Sequence, residues 1–73
     1  MGNKTKLFFV VQSKEENPEI FETLEDAEAF KLSAMEDGWI SVAMVRNYHW
    51  EKDIKRWNYE DKIDTFNFIK ELK

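Results

Sequence analysis

Two apolar runs stand out in the pattern of hydrophobic and polar positions along the chain. The first, Lys6–Gln12, is rich in Phe and Val and is apolar with little interruption, which is typical of a strand with both faces covered. The second, Trp39–Val45, alternates between larger apolar residues at even positions and smaller or more polar residues at odd positions. That alternation is typical of a strand with one face covered. Both runs are therefore predicted to be strands.

The stretch between these strands predicts an amphipathic helix over residues 24–37. Thr23 is followed three residues later by Asp26, a variant of the capping box in which the Thr hydroxyl accepts a hydrogen bond from a backbone amide at the helix start. Acidic residues fill the first turns, where the helix dipole favours anions, and Gly38 is placed to end the helix. The apolar residues that share one face of this helix are Leu24, Ala27, Phe30, Ala34 and Met35.

Two hairpins are predicted around these elements. Residues 13–19 form a polar, proline-containing turn, so that residues 20–22 return beside the first strand. The second long strand is predicted to run on through Trp50, to turn at residues 51–53 and to return over residues 54–59. The returning strand has a mixed apolar and polar pattern, which places it near an edge of the sheet.

The C-terminal stretch fits more than one element. Asp64 can cap a helix over residues 64–72, and this helix is the favoured interpretation. A strand with Phe66 and Phe68 in register, or an irregular tail, fits the same residues. The predicted fold class is therefore α+β: a small two-layer domain of ββαββα order, with an antiparallel sheet packed by one main helix (24–37) and a C-terminal helix (64–72).

Size and composition limit what the chain can be. At 73 residues it has room for a single domain, predicted to span residues 1–73 with residues 1–5 as a disordered tail. Cysteine is absent, which excludes disulfides and thiolate metal sites, so dense packing or self-association has to stabilise the domain. The apolar run from Leu7 to Val11 is too short for a membrane span or a signal peptide. We therefore expect a cytoplasmic protein that does not contact membranes.

Charge is unevenly distributed along the chain. The formal net charge is −4, and residues 15–37 contain nine acidic residues and one basic residue. Residues 46–58 contain four basic and two acidic residues. A chain with one acidic and one mildly basic pole can steer a complementary partner, while an acidic surface repels the phosphates of duplex nucleic acid.

The sequence carries no signature of catalysis. It contains no thiol nucleophile and no glycine-flanked serine, and its two glycines cannot form a phosphate-binding loop. His49 is the single histidine, so a His–His metal pair is excluded, and we interpret it as an outward-facing polar position of a strand. We therefore expect a protein that is not an enzyme and that has no catalytic residue, cofactor or metal site.

The candidate binding surface is the segment in which aromatic and basic residues are mixed. All three tryptophans and both tyrosines lie between Trp39 and Tyr59, and aromatic and Arg side chains dominate the energetics of protein interfaces. The competing interpretation places these aromatics in the core, with Trp50 and Trp57 paired across a hairpin. The residues predicted to bind a partner are Arg46, Tyr48, Trp50, Arg56, Trp57 and Tyr59.

Three functions are compatible with this pattern, and all of them involve binding. The leading hypothesis is a small adaptor or modulator, of phage or mobile-element origin, that uses the aromatic and basic hairpin to engage a protein partner or to form a dimer. A second is single-stranded nucleic-acid binding by stacking on the same aromatics, although nucleic acid is the less favoured partner. A third is an acidic mimic of nucleic acid that uses residues 15–37. The segment from Ile20 to Phe30 resembles a strand-to-helix sequence pattern of many small bacterial and phage domains. This resemblance implies no activity.

Overall fold

A computed structural model describes residues 4–72 of the chain. Of the predicted N-terminal tail, residues 1–3 lie outside the described residues, and Lys4 and Thr5 lead into the first strand. The elements within the described range are β1 (Lys6–Gln12), β2 (Glu19–Phe21), α1 (Leu24–Ala34), β3 (Trp39–Val45), β4 (Tyr48–Glu51), β5 (Arg56–Tyr59) and β6 (Phe66–Leu72).

The predicted ββαββα two-layer fold is wrong. Strands make up 46% of the described residues and helix only 16%, with one helix and two antiparallel sheets in that part of the chain. The larger sheet has the strand order β2-β1-β3-β6, and the smaller sheet is the hairpin β4–β5. The chain is therefore mostly sheet, and its second half adds no helix.

The predicted C-terminal helix over residues 64–72 is instead the edge strand β6. β6 pairs antiparallel with β3, and a register shift between Val42 and Ala43 marks a bulge. Local capping by Asp64 favoured a helix, but a helix would have left the second edge of β3 without hydrogen-bond partners. Pairing along the whole of β3 satisfies those backbone groups, and such tertiary context overrides weak local propensity.

The four-stranded sheet is covered on both faces, which makes three layers. On one face, Phe8 and Val10 of β1 pack with β4 and β5, and on the other Phe9 and Val11 pack with α1. The continuous apolar run of β1 predicted this two-sided burial. We call these the hairpin face and the helix face.

Strand β3 forms where predicted, but the prediction that only one of its faces is covered is wrong. Its small odd-numbered residues are buried because the aromatic hairpin lies over them; these are Ser41, Ala43 and Val45. Its larger even-numbered residues Val42 and Met44 are only half-buried on the helix face. Side chains of β3 are therefore small on the face that the hairpin contacts closely and larger on the face that α1 covers only in part.

Strand β3 does not run on through Trp50 as predicted. Asn47 has a backbone φ of 58°, and this left-handed residue, of a type that tolerates the conformation, separates β3 from β4. The break redirects the chain, so that β4 lies over the sheet and not within it. The predicted turn at residues 51–53 falls at residues 52–55, with Lys55 at a φ of 51°.

Helix α1 begins where the sequence predicts and ends earlier. The Thr23 hydroxyl accepts a hydrogen bond of 3.2 Å from the amide of Asp26, as expected for the cap. The helix ends at Ala34, three residues before the predicted end. Gly38 is required for a different reason from the one predicted, because a Cβ there would lie 2.3 Å from the carbonyl oxygen of Gln12. Within residues 4–72, no helix is long and apolar enough to cross a membrane.

Candidate functional site

Two of the predicted binding residues, Tyr48 and Trp57, pack against the hairpin face of the sheet. Their rings lie 5.3 Å and 5.7 Å from the ring of Phe8, both edge to face, and 5.6 Å from each other. Phe8 is fully buried beneath them. Edge-to-face aromatic contacts of this kind each add about 0.5–1.5 kcal/mol beyond area burial. The triad therefore attaches the hairpin to the sheet.

A third predicted residue, Tyr59, closes the same layer at its other end. Its hydroxyl donates a 2.6 Å hydrogen bond to the backbone carbonyl of Pro18, and its ring lies edge to face 4.8 Å from Phe66. Burial, with the nearby carboxylates of Glu19 and Asp61, raises the pKa of Tyr59 to about 12. The phenol is therefore neutral and acts as a structural donor.

Arg56 connects the turn end of the hairpin to the helix side of the molecule. Its guanidinium makes an ion pair of 2.5 Å with Glu19, and it lies 5.6 Å and 5.2 Å from the ring centres of Phe21 and Phe30. Both members of the ion pair are about two-thirds buried. The guanidinium therefore already has a carboxylate and two aromatic rings as partners within the chain.

The polar residues near the hairpin are also paired. Arg46 is exposed, with a guanidinium nitrogen 3.5 Å from a carboxylate oxygen of Asp64. The Nε2 atom of His49 lies 2.8 Å from a carboxylate oxygen of Glu51 on the same strand. Surface contacts of this type contribute little to stability, and both leave the side chains accessible.

Trp50 is the predicted binding residue that remains most exposed among the aromatics of the hairpin. Its side chain is 49% exposed, and its ring meets that of Trp57 edge to face at 5.3 Å. The cross-strand pair Trp50–Trp57 expected from the sequence is therefore present. Both rings lie on the side of the hairpin that faces the sheet, but Trp50 lies nearer the turn and is not packed on Phe8. Because Trp57 is fixed by Phe8, Trp50 rests on a rigid support.

Trp50 borders an open cleft of about 380 Å³ between the hairpin and the β2–α1 edge. The cleft has an apolar wall and a set of mixed charges around it. Its main lining residues are Phe21, Glu22, Asp26, Trp50, Lys55 and Trp57. An apolar side chain from a partner could enter it beside Trp50, with polar groups at the rim.

An ion pair lies beside this cleft. The ammonium of Lys6 pairs with Glu22, which lines the cleft, and lies 4.8 Å from the ring centre of Trp57. The Lys6 ammonium, and secondarily the nearby Trp57 indole, lowers the pKa of Glu22 below its usual value. The indole Nε1 is the one buried side-chain polar atom in residues 4–72 without a hydrogen-bond partner.

Sequence reasoning missed the residue that fixes the base of the hairpin, Thr65. It is fully buried; its hydroxyl donates to the carbonyl of Glu60 at 2.7 Å and accepts from Asn47 at 3.2 Å and from the amide of Lys62 at 3.0 Å. Its carbonyl accepts from the amide of Arg46 at 2.8 Å. A feature of the sequence that could have identified Thr65 is its position directly before the alternating apolar and polar residues 66–68.

The six predicted binding residues thus lie in or beside one hairpin but are buried to different degrees. Three aromatics pack on the sheet and Trp50 lies half exposed on the same side of the hairpin, nearer its turn. Arg56 contacts the β2–α1 edge, and Arg46 pairs with Asp64 in the loop before β6. Residues 4–72 contain no group of three His, Asp or Glu side chains that could hold a metal ion. No protein-family model, curated protein or solved structure matches this chain, so its function has to be argued from this geometry.

Proposed function

We propose that this protein is a small, non-catalytic binding protein that engages a protein partner through Trp50 and the cleft beside it. The observation that supports the proposal is the position of Trp50: a half-exposed indole held on a packed aromatic layer, next to a concave surface. A large aromatic that is fixed before binding loses little conformational entropy on association, which is a feature of interface hot spots.

The charges around the cleft favour a protein over single-stranded nucleic acid. Nucleic-acid grooves combine stacking residues with a run of free cations that follow the phosphates. Here Arg56 is paired with Glu19 and Lys6 with Glu22, while Asp26 lies in the cleft lining. A mixed rim around an apolar centre is instead the usual composition of a protein interface.

The partner segment that fits this surface carries one apolar or aromatic side chain flanked by polar residues. The apolar side chain would occupy the cleft between Trp50 and Phe21. Polar groups would meet Lys55 and Asp26 at the rim, where each contributes little affinity but helps to exclude water.

The experiment compares binding by three forms of the protein. A photo-crosslinking amino acid at position 55, at the rim of the cleft, identifies the partner in cells while Trp50 is retained. The affinity of that partner for the purified wild type, Trp50→Ala and Phe68→Ala is then measured by calorimetry. Phe68 is a matched control because it is an aromatic of similar exposure, 46%, on β6. We expect Trp50→Ala to weaken binding by about 30-fold or more, the effect of losing a hot spot of about 2 kcal/mol, and Phe68→Ala to have little effect.

Two results would contradict the proposal. One is a partner that binds Trp50→Ala as tightly as the wild type. The other is a salt-dependent quenching of tryptophan fluorescence by a single-stranded oligonucleotide that disappears in Trp50→Ala, which would assign the cleft to nucleic acid. Circular dichroism of each variant confirms that the comparison is made between folded proteins.

A further inference from the structure

The helix face of the large sheet is only partly covered by the chain itself. Four strands spaced by about 4.8 Å make a sheet roughly twice as wide as a helix with its side chains. Helix α1 packs on β1, β2 and β3, which leaves the β6 side of this face without a covering element in residues 4–72. A sheet face of this width is normally covered by two helices.

The uncovered half combines apolar side chains with the polar Asn67 and Lys70 of β6, and the flank of α1 beside it carries exposed leucines. Leu7 is 46% exposed on this face, and its cross-strand partner Met44 is half-buried. On the helix, Leu32 is 71% exposed and Leu24 is 38% exposed. Together with Trp39 and Leu72, these helix residues form the apolar part of a groove of about 650 Å³ between α1 and the end of β6, which Glu28 and Lys31 of α1 also line.

The charges at the two sides of this groove are complementary. Lys70 pairs with Val42 across β3 and β6 and therefore lies on the helix face; within residues 4–72 it makes no ion pair. Glu25 and Glu28 of α1 are exposed and likewise unpaired among the described residues. An amphipathic helix with exposed leucines and acidic neighbours would thus fit the uncovered half, and α1 itself has that chemistry.

We propose that two copies of this protein associate about a two-fold axis, each placing the Leu24–Leu32 flank of α1 in the groove of the other. The two helices then lie side by side between two sheets, and Lys70 of each copy meets the Glu25 and Glu28 carboxylates of the second copy. Such an interface is isologous and closes after two copies. It gives a small domain without disulfides the additional apolar burial it lacks.

This second surface is independent of the binding cleft. Trp50 lies on the hairpin face, on the far side of the sheet from the proposed dimer interface. A dimer of this form carries two Trp50 clefts that lie outside the dimer interface, so it can engage two partner molecules or one partner with two sites.

The test is sedimentation equilibrium of the full chain over a range of concentrations. The wild type is expected to have about twice the 8.8 kDa chain mass. Leu32→Glu places a carboxylate in the apolar contact and should raise the dimer dissociation constant by at least about 100-fold. We therefore expect this variant to be monomeric at micromolar concentration. Ile63→Glu is the matched control, since Ile63 is fully exposed in the loop before β6, and it should remain dimeric.

A charge exchange tests the orientation of the two copies. Lys70→Glu should raise the dissociation constant by about tenfold. The new carboxylate repels the acidic residues of the opposing helix, and the two-fold symmetry repeats this repulsion at a second site. Combining it with Glu28→Lys should recover most of that loss. Circular dichroism on every variant separates dissociation from unfolding.

Three results would overturn the proposal. They are a wild type that remains monomeric at about 1 mM, the weak end of measurable association, a Leu32→Glu variant that dimerises as the wild type does, and a charge exchange that recovers nothing. A dimer lost in Phe68→Lys but kept in Leu32→Glu would also overturn it, because that pattern assigns self-association to the open edge of β6.

Discussion

The two faces of the large sheet are closed in different ways. On the hairpin face, Phe8 is fully buried beneath two aromatic rings, those of Tyr48 and Trp57, and small residues of β3 allow the hairpin to approach closely. On the helix face, Leu7 is 46% exposed beside Phe8 in sequence, and helix α1 covers only part of the sheet. Neighbouring residues of one strand therefore contribute very differently to the stability of the fold.

The two faces show that, within this small chain, the residues that stabilise the fold differ from those that remain available for binding. Aromatic residues concentrated in one segment suggested a surface, but most of them form the second half of the core. Apolar residues scattered along the helix and strands attracted less notice, and several of those remain accessible. Concentration in sequence is thus a poor guide to exposure, because a hairpin that folds back over a sheet buries one of its faces.

The largest expected effect comes from removing the ring at the centre of the hairpin face. Phe8→Ala should lower the free energy of unfolding by about 3–5 kcal/mol, because it deletes a buried ring and leaves a cavity under Tyr48 and Trp57. That loss is comparable to the whole stability of a domain of this size, so we expect a largely unfolded protein. Circular dichroism and urea denaturation measure it.

The matched control is the adjacent position on the other face. Leu7→Ala should cost about 1 kcal/mol or less, since half of that side chain is already in water. Equal losses at Phe8 and Leu7 would mean that the two faces are buried alike, and would also remove the uncovered half on which the proposed dimer depends. In a dimeric wild type, the Leu7 variant should be compared above and below the dissociation constant.

A second prediction concerns the polar connection that holds the hairpin in place. Thr65→Val keeps the shape of the side chain but removes a hydroxyl that donates one hydrogen bond and accepts two. Its former partners then lack a hydrogen bond in a buried site, which should lower the free energy of unfolding by about 1–3 kcal/mol. Urea denaturation measures the change, and amide hydrogen exchange should show faster opening of β4 and β5 than of β1 and β3.

The control for this position is Thr65→Ser, which retains the hydroxyl and loses one methyl group. It should be clearly more stable than Thr65→Val. If the Val variant were the more stable of the two, apolar packing and not the hydrogen-bond network would fix the hairpin at this point.

The elements that could be predicted from sequence are those determined by local pattern. Strands β1 and β3 lie within the predicted bounds, and α1 begins at the predicted cap, because apolar periodicity and the Thr23 side chain act over a few residues. The two-sided burial of β1 also followed from its uninterrupted apolar run. In each case the neighbouring residues alone carry the information.

The features that could not be predicted depend on contacts between distant parts of the chain. The break at Asn47 requires one residue in a left-handed conformation, and no local pattern distinguished it from a continuing strand. Strand β6 forms because β3 offers an open edge, a condition that residues 64–72 do not contain. Which side chains of the hairpin pack on the sheet depends in turn on that break, so the sequence named Trp50 together with Tyr48, Trp57 and Tyr59 without showing that Trp50 alone of these stays half exposed.

The smallest expected effect is at the end of the hairpin face, in the Tyr59 hydroxyl. Tyr59→Phe removes the 2.6 Å hydrogen bond to Pro18 and should cost about 0.5–1.5 kcal/mol at neutral pH. The pKa of Tyr59 is about 12 in the folded protein, above its value of about 10 in an unfolded chain. Between these values the unfolded chain loses its phenolic proton first, so this contribution to stability is complete below pH 10 and is lost as the pH rises towards 12.

Urea denaturation of the wild type and Tyr59→Phe at a series of pH values measures that dependence. All other ionisable groups are common to both proteins, so the difference in unfolding free energy isolates Tyr59. The difference should be constant up to about pH 9 and should shrink above pH 10. Tyr48→Phe is the matched control, because the Tyr48 ring packs on Phe8 while its hydroxyl donates no hydrogen bond among the described residues. A difference between wild type and Tyr59→Phe that stays constant through pH 12 would mean that the Tyr59 phenol is open to solvent, and that the hairpin face is not sealed at this end.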